Sequence, residues 1–134
     1  LILALTREHR RKVVQLDPSA TRRAFTLREF GFVAGHVTDA DLDEAERQLV
    51  WRRSAEGLDP RSIHPLDVAT AAVFTANGVF PIPDPSELDV TDPFMGPIEA
   101  YAEAAVRMLP AIEAISEFFT AHVTRPVGLV TTPV

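Results

Sequence analysis

The sequence predicts an α/β fold, because two strand-like segments enclose a segment with the features of a helix. Residues 1–5, LILAL, form a continuous apolar run that stops at a polar residue, as a strand buried on both faces of a parallel sheet does. Residues 23–27, RAFTL, are rich in aromatic and β-branched side chains and form the second strand candidate. The order strand, helix, strand is that of a parallel crossover unit.

The helix between these strands is predicted from its ends. Thr6 can accept a hydrogen bond from an amide of the first turn, and Pro18 closes the segment after Leu16. After the second strand, at residues 24–27, a short helical piece is expected near residues 28–34.

Two further helices are predicted in the centre of the chain. The first begins after Thr38, and Asp41 follows three positions later, which is the spacing of a capping box with Asp in place of the usual Glu. The second covers residues 65–77, with Pro65 in the first turn and Gly78 just past the end.

A proline-rich loop and a long helix are predicted in the last third of the chain. Five of the eleven prolines lie between residues 80 and 97. Because proline fixes φ and lacks an amide donor, this loop should be stiff and extended. Apolar residues recur at helical spacing from Ile98, with a kink expected at Pro110, and residues 124–134 should form a frayed tail.

Composition bounds the class of protein. A chain of 134 residues with 46% hydrophobic and 24% charged residues fits one domain at most. No stretch approaches the roughly 18 uninterrupted apolar residues of a membrane-spanning helix. Cysteine is absent, which excludes a disulfide framework or a thiolate metal site within the chain and fits a reducing compartment. We therefore expect a soluble, cytoplasmic protein.

Common motifs of metal and nucleotide chemistry are missing from the sequence. The four histidines are dispersed, with no pair at i and i+4 on one helix, so no metal site is predicted. The sequence contains neither a G-x-S-x-G turn nor a glycine-rich phosphate loop. No cofactor is predicted.

The charge distribution is uneven and leaves a second function class open. Residues 1–28 carry seven of the thirteen Arg and Lys residues against two acids, although the whole chain has a net charge of −6. A noncatalytic module could bind nucleic acid or protein through the basic segment 7–28. The strongly acidic remainder, and the lack of a recognition helix with base-reading side chains, argue against nucleic acid.

Asp92 lies in the stretch TDPFMGPIEAY, before a proline and just ahead of the last predicted helix. An Asp-Pro pair is by itself a common turn signal. Asp17, Asp59 and Asp84 also precede prolines in this chain, so the pair carries information only through its neighbours.

Those neighbours carry a resemblance to a known family. The blocks LILALTREHRRKVVQLDP, RRAFTLREF and DVTDPFMGPIEAYAEAA, in this order, resemble the C-terminal part of the low-molecular-weight protein tyrosine phosphatases, particularly the longer bacterial members. The resemblance implies part of a three-layer α/β fold, with a four-stranded parallel sheet flanked by helices. Residues 1–5 would be its third strand and residues 24–27 its fourth, and residues 1–123 would be the C-terminal part of a single phosphatase-like domain. Residues 35–89 resemble only a variable helical insertion.

The resemblance also implies an activity. Family members hydrolyse phosphate monoesters, such as a phosphotyrosyl protein or a small aryl phosphate, through a cysteinyl-phosphate intermediate. The thiolate comes from a C-x5-R loop, and an aspartate in an Asp-Pro-aromatic loop acts as general acid; Asp92 matches that acid. Phe94 and Met95 fall where many members place two aromatic residues beside the substrate, and Met95 departs from that pattern.

The chain departs most from the family in having no cysteine, so it lacks the nucleophile. It also begins without Met, and we expect that a preceding strand-helix-strand portion with the C-x5-R loop has been removed. The isolated chain should therefore be inactive.

Other functions remain open beside the phosphatase prediction. Thioredoxin-coupled arsenate reductases of similar fold carry further cysteines in the stretch that matches residues 5–12, and this chain has none there. A single-cysteine arsenate reductase that uses a small thiol remains an alternative, as does a noncatalytic phosphatase-like scaffold. The physiological substrate and the oligomeric state are left open by the sequence.

Overall fold

The computed structural model describes residues 1–82 and 84–128, and within these ranges the protein is mostly helical. Its α-helices are α1 (Arg7–Leu16), α2 (Leu27–Ala34), α3 (Asp39–Ala55), α4 (Pro65–Asn77) and α5 (Ile98–His122). Its strands are β1 (Ile2–Ala4) and β2 (Ala24–Thr26). Short 3₁₀ helices cover Pro18–Arg22, Pro60–Ser62 and Pro85–Leu88.

The two strands form a parallel pair with α1 as the crossover between them. Ile2 lies opposite Ala24, and Ala4 lies opposite Thr26. β2 is completely buried, whereas Leu3 in β1 keeps 38% of its surface exposed. Within the described residues, β1 has no strand partner other than β2.

The local signals for the helix ends are confirmed. The Thr6 hydroxyl accepts from the backbone N–H of His9 at the start of α1. A capping box links Thr38 and Asp41 at the start of α3, and α4 begins at Pro65 and ends before Gly78. The side chains of Thr6, Thr38 and Asp41 accept hydrogen bonds from backbone amides that would otherwise lack partners at the helix starts.

The hydrophobic core lies between helices. α2 packs mainly against α5, and α3 packs mainly against α4. Phe30 of α2 is fully buried and contacts Phe25 and Phe118 edge to face, with ring centroids 5.0 and 6.2 Å apart. At Gly31 a β-carbon would lie 2.9 Å from the Cα of Ala111, so α2 and α5 approach closely because this position has no side chain.

The predicted three-layer α/β fold is wrong. The residues predicted as the third and fourth strands form β1 and β2, but each strand has only three residues and the sheet has two strands in the described ranges. Residues 35–89, which resembled a variable insertion, supply α3 and α4, and both helices contribute to the same core as α2 and α5. Helix-on-helix packing therefore buries most of the apolar surface here.

The segment after α5 contacts α3 through charged groups. Glu46 of α3 is 1% exposed, and its carboxyl faces the guanidinium of Arg125 at 3.5 Å and accepts from the backbone N–H of Gly128. Arg125 also pairs with Asp43. Residues 129–134 of the predicted tail lie outside the described residues.

Over the described part of the chain, we find no helix with the length and apolar character needed to cross a membrane.

Candidate active site at the carboxyl end of the strands

The loop that carries Asp92 is fixed to the carboxyl end of β1. The backbone N–H of Val90 donates to the carbonyl of Leu5 at 2.8 Å, and Val90 is 1% exposed. Asp92 thus lies two residues beyond a buried, hydrogen-bonded anchor.

An ion pair holds the same loop to the start of α1. The Asp89 carboxylate accepts from the backbone N–H of Arg7 at 2.9 Å and from its guanidinium at 3.1 to 3.3 Å. The hydrogen bond from the Arg7 side chain is the main reason that the pKa of Asp89 is lowered. Asp89 is therefore ionised at neutral pH and serves as an anchor, which makes it unsuited to donate a proton.

Residues 93–96 form a tight turn beside Asp92. The backbone N–H of Gly96 donates to the carbonyl of Pro93 at 2.8 Å, and Met95 has a φ of 64°. A positive φ at the third position of a turn is typical of type II turns, which usually place glycine there. Met95 adopts this unfavourable conformation at the tip of the candidate site. A β-carbon at Gly96 would lie 2.9 Å from the Pro93 carbonyl oxygen, so the turn needs glycine at its end.

Asp92 opens onto a small recess between the loop and α5. The recess has a volume of about 140 Å³. The Asp92 carboxyl is exposed and accepts from the backbone N–H of Phe94 at 2.9 Å. The other residues that line the recess are Thr91, Pro93, Ala100, Glu103, Ala104 and Arg107.

The four Asp-Pro aspartates are not equivalent in the structure. Each accepts a hydrogen bond from the backbone N–H two residues ahead. At Asp17, Asp59 and Asp84 a nearby side chain donates a further bond, which lowers the pKa of the carboxyl, and a 3₁₀ helix begins at the proline. Those donors are Ser19, Arg61 and Ser86. Within the described residues, Asp92 receives only its backbone bond.

Phe94 and Met95 lie beside the recess but do not line it. They are 75% and 87% exposed, and both occupy the turn that follows Asp92. They lie close to Asp92 in the sequence, and their side chains face solvent. Their assignment to substrate binding stays a prediction.

Arg107 is a site residue that the sequence did not single out. It lines the recess from α5, donates to the Asp89 carbonyl at 3.5 Å and lies 4.0 Å from the Glu103 carboxylate. The only sequence signal was the i, i+4 spacing of Glu103 and Arg107 on a predicted helix, which is common on exposed helices. Arg107 brings a positive charge to the recess and helps to hold the base of the loop.

Most of the basic segment 7–28 is engaged within the chain. Arg10 donates to the carbonyl of Ala24 at 2.7 Å, and so it holds α1 against β2. Four other cations of the segment have carboxylate partners: the pairs are Arg7–Asp89, Lys12–Glu8, Arg23–Asp17 and Arg28–Glu87. This pairing reduces the charge available to nucleic acid phosphates.

The histidines are used in different local contacts. The Nδ1 atom of His64 accepts from the backbone N–H of Leu66 and so caps α4. The ring of His36 lies 4.9 Å from the ring of Phe32. Across residues 1–82 and 84–128, no group of three His, Asp or Glu side chains is arranged to hold a metal ion.

Comparisons with protein-family models, with curated proteins and with solved structures find no match to this chain. The resemblance to the phosphatases therefore rests on the sequence blocks alone.

Proposed function

We propose that this chain supplies the general acid of a phosphate monoester hydrolase that works through a cysteinyl-phosphate, as the low-molecular-weight tyrosine phosphatases do. Asp92 is the acid. Because the chain has no cysteine, the thiolate comes from another polypeptide segment, carried by the same protein or by a partner. The substrate class is an aryl phosphate, either a phosphotyrosyl protein or a small ester.

The proposed reaction has two steps. The thiolate attacks phosphorus, the P–O bond to the aryl group breaks, and Asp92 gives its proton to the departing phenolate oxygen. The Asp92 carboxylate then takes a proton from water as the water oxygen attacks phosphorus. The P–S bond breaks, which releases inorganic phosphate and regenerates the thiolate.

The observation that carries the proposal is the difference between Asp92 and the other Asp-Pro aspartates. A general acid must present its carboxyl to the substrate and keep its proton near neutral pH, which a side-chain donor that lowers the pKa opposes. Asp92 opens onto a recess and is held in place only by the Phe94 amide among the described residues, whereas the pKa values of the other three are lowered by side-chain donors. The buried anchor at Val90 keeps the loop in position.

Exposed apolar surface near the site supports the need for a second segment. Within the described residues, the edge of β1 away from β2 has no strand partner, and Leu3 of β1 is partly exposed. On α5, Ile98 is 79% exposed and Val106 is 69% exposed. A strand and helix that brought the thiolate to Asp92 would cover such surfaces and gain about 25 cal/mol for each Å² of apolar area buried.

The test is hydrolysis of p-nitrophenyl phosphate by the protein as isolated from its native cells, compared with the same protein carrying Asp92→Asn. We expect kcat to fall by roughly 10² to 10⁴, the usual contribution of general acid catalysis. The matched controls are Asp17→Asn, Asp59→Asn and Asp84→Asn, which change the same chemical group before a proline. Each should retain kcat within about twofold of the parent, since none faces the recess.

The pattern across the four variants decides the outcome. Equal losses at all four sites would show that Asp-Pro turns matter only for folding and would remove Asp92 as the acid. A native protein that hydrolyses no aryl phosphate and forms no phosphocysteine would contradict the phosphatase function as a whole.

A further inference from the structure

A groove at the amino end of the strands brings together two arginine pairs that are distant in the sequence. Arg22 and Arg23 lie just before β2, and Arg52 and Arg53 lie in the last turn of α3. All four line one groove of about 310 Å³ between α3, α4 and the start of the sheet. This volume is at the lower end of the range for small-molecule sites.

Intramolecular ion pairs neutralise only part of this charge. Arg23 pairs with Asp17 at 3.2 Å, and Arg53 lies 4.0 Å from Asp67, which also lines the groove. For Arg22 and Arg52, the described residues provide no carboxylate within ion-pair distance. Two guanidinium groups therefore carry uncompensated charge in a chain whose overall charge is −6.

The groove also has an aromatic and an aliphatic wall. The guanidinium of Arg22 lies 5.5 Å from the centroid of the Phe74 ring, a cation–π arrangement that holds the charge at the rim. Leu49 and Ala71 add apolar surface, and Thr70 lies on α4 beside them. Several cations next to an apolar wall suit a ligand that has a charged end and a flat apolar end.

We propose that this groove binds a small organic phosphate that carries two or more anionic charges and a flat ring. Arg22 and Arg52 bind the phosphate oxygens, because guanidinium groups match their geometry in bidentate fashion. Phe74 and Leu49 contact the ring. The site is separate from Asp92, because the groove lies at the amino end of the parallel strands and the acid loop is attached at the carboxyl end.

The probe is adenosine diphosphate in metal-free buffer, with binding to the full chain measured by isothermal titration calorimetry at about 20 and 150 mM salt. Adenosine and inorganic pyrophosphate serve as the two halves of the probe. We expect adenosine diphosphate to bind at least tenfold more tightly than either half. Its affinity should fall at the higher salt concentration, because exposed charges are screened over a shorter distance there.

Charge-removing variants locate the site. Arg22→Gln and Arg52→Gln should each raise the Kd for adenosine diphosphate by at least fivefold. Phe74→Leu should weaken adenosine diphosphate more than pyrophosphate, because it removes the proposed contact with the ligand's ring as well as the contact that holds Arg22. Arg47→Gln is the matched control, since Arg47 lies on the same helix α3 and pairs with Glu44 outside the groove. Asp92→Asn should leave this binding unchanged.

Several results would overturn the proposal. One is that adenosine diphosphate shows no binding at about 20 mM salt, and another is that Arg47→Gln weakens binding as much as Arg52→Gln. Tight binding of adenosine alone would show that charge is not recognised. Binding of a polyglutamate peptide with the same arginine dependence, without binding of adenosine diphosphate, would assign the groove to an acidic protein partner instead.

Discussion

The two ends of the small parallel sheet handle charge in opposite ways. At the carboxyl end, Arg7 is paired with Asp89, and Arg107 contacts the same loop. At the amino end, Arg22 and Arg52 line one groove, and the described residues offer them no carboxylate partner. Both ends are built on the same two strands, yet the first uses its cations to fix a loop and the second leaves two of its four arginines without a carboxylate partner among the described residues.

This difference shows why basic residues must be judged by their partners. A cation that donates to a carboxylate or a carbonyl stabilises the fold, and its charge is largely compensated. A cation beside an apolar wall without a partner remains available to an anionic ligand. The basic segment, residues 7–28, contributes Arg7 to the carboxyl end of the sheet and Arg22 and Arg23 to the amino end, so its residues do not share one role.

The strongest effect is expected at α3, which supplies Arg52 and Arg53 to the amino-end groove. Replacing Arg125 with Met leaves the buried carboxylate of Glu46 without its cation, which typically costs about 3 kcal/mol or more in unfolding free energy. Urea denaturation would measure the loss. Because α3 carries Arg52, the variant should also weaken adenosine diphosphate binding.

The double variant Glu46→Met with Arg125→Met tests whether the cause is the unpaired charge. Replacing a buried ion pair by apolar side chains is often neutral, so the double variant should recover much of the stability that Arg125→Met loses. If the double variant is as unstable as Arg125→Met, the unpaired carboxylate of Glu46 is not the cause of the lost stability. Arg61→Met is the exposed control and should unfold like the parent, since Arg61 is 90% exposed at its side chain.

An intermediate effect is expected at the contact between α2 and α5, which supports the carboxyl-end site. In Gly31→Ala the added methyl would meet the Ala111 backbone at 2.9 Å and push α5 away. We expect a loss of about 1–2 kcal/mol in unfolding free energy, because the strain exceeds the gain in helix propensity. The amino-end groove should keep its affinity for adenosine diphosphate.

Gly78→Ala is the matched control for this prediction. A β-carbon at Gly78 would have no heavy atom within 4 Å among the described residues, and the φ of −78° is one that alanine adopts without strain. The substitution should be neutral or should stabilise the protein by up to about 1 kcal/mol, since it restricts the unfolded chain. Destabilisation of equal size at both glycines would contradict the close-packing explanation for Gly31.

The weakest effect is a pH dependence at the carboxyl end. Because Arg7 lowers the pKa of Asp89 below its ordinary value of 3.8, the ion pair stabilises the fold above that pH. This stabilisation is lost as pH falls through the folded-state pKa. Asp89→Asn should therefore lower stability at pH 7, and the difference from the parent should shrink as pH falls below about 4.

Urea denaturation at about pH 7, 4 and 3 would measure this difference. Arg7→Gln removes the other partner and should reproduce the same pH dependence. If the stability difference between Asp89→Asn and the parent is the same at all three pH values, protonation of Asp89 does not weaken the Arg7–Asp89 ion pair as proposed.

Helix ends could be predicted from sequence because their causes are local. The Thr6 cap, the capping box at Thr38 and the limits of α4 at Pro65 and Gly78 each depend on residues within one helical turn. The assignment of Asp92 as the acid rests on its neighbours in the sequence and on the family resemblance, and it stays a prediction. Asp92 could be distinguished from the other Asp-Pro aspartates only from the structure, which shows side-chain donors such as Ser19 and Ser86 at those sites.

The amino-acid sequence was sufficient to predict the helices, the order of the two strands and the lack of a thiolate in this chain, because each follows from composition or short-range spacing. Three-dimensional packing was needed to establish that helices α2 to α5 form the core and that the sheet has two strands in the described residues. The same packing decides which arginines line one groove. Arg22 and Arg52 are distant in the sequence and share a groove only because α3 packs against α4 beside the start of β2, and such long-range contacts depend on how the buried faces fit.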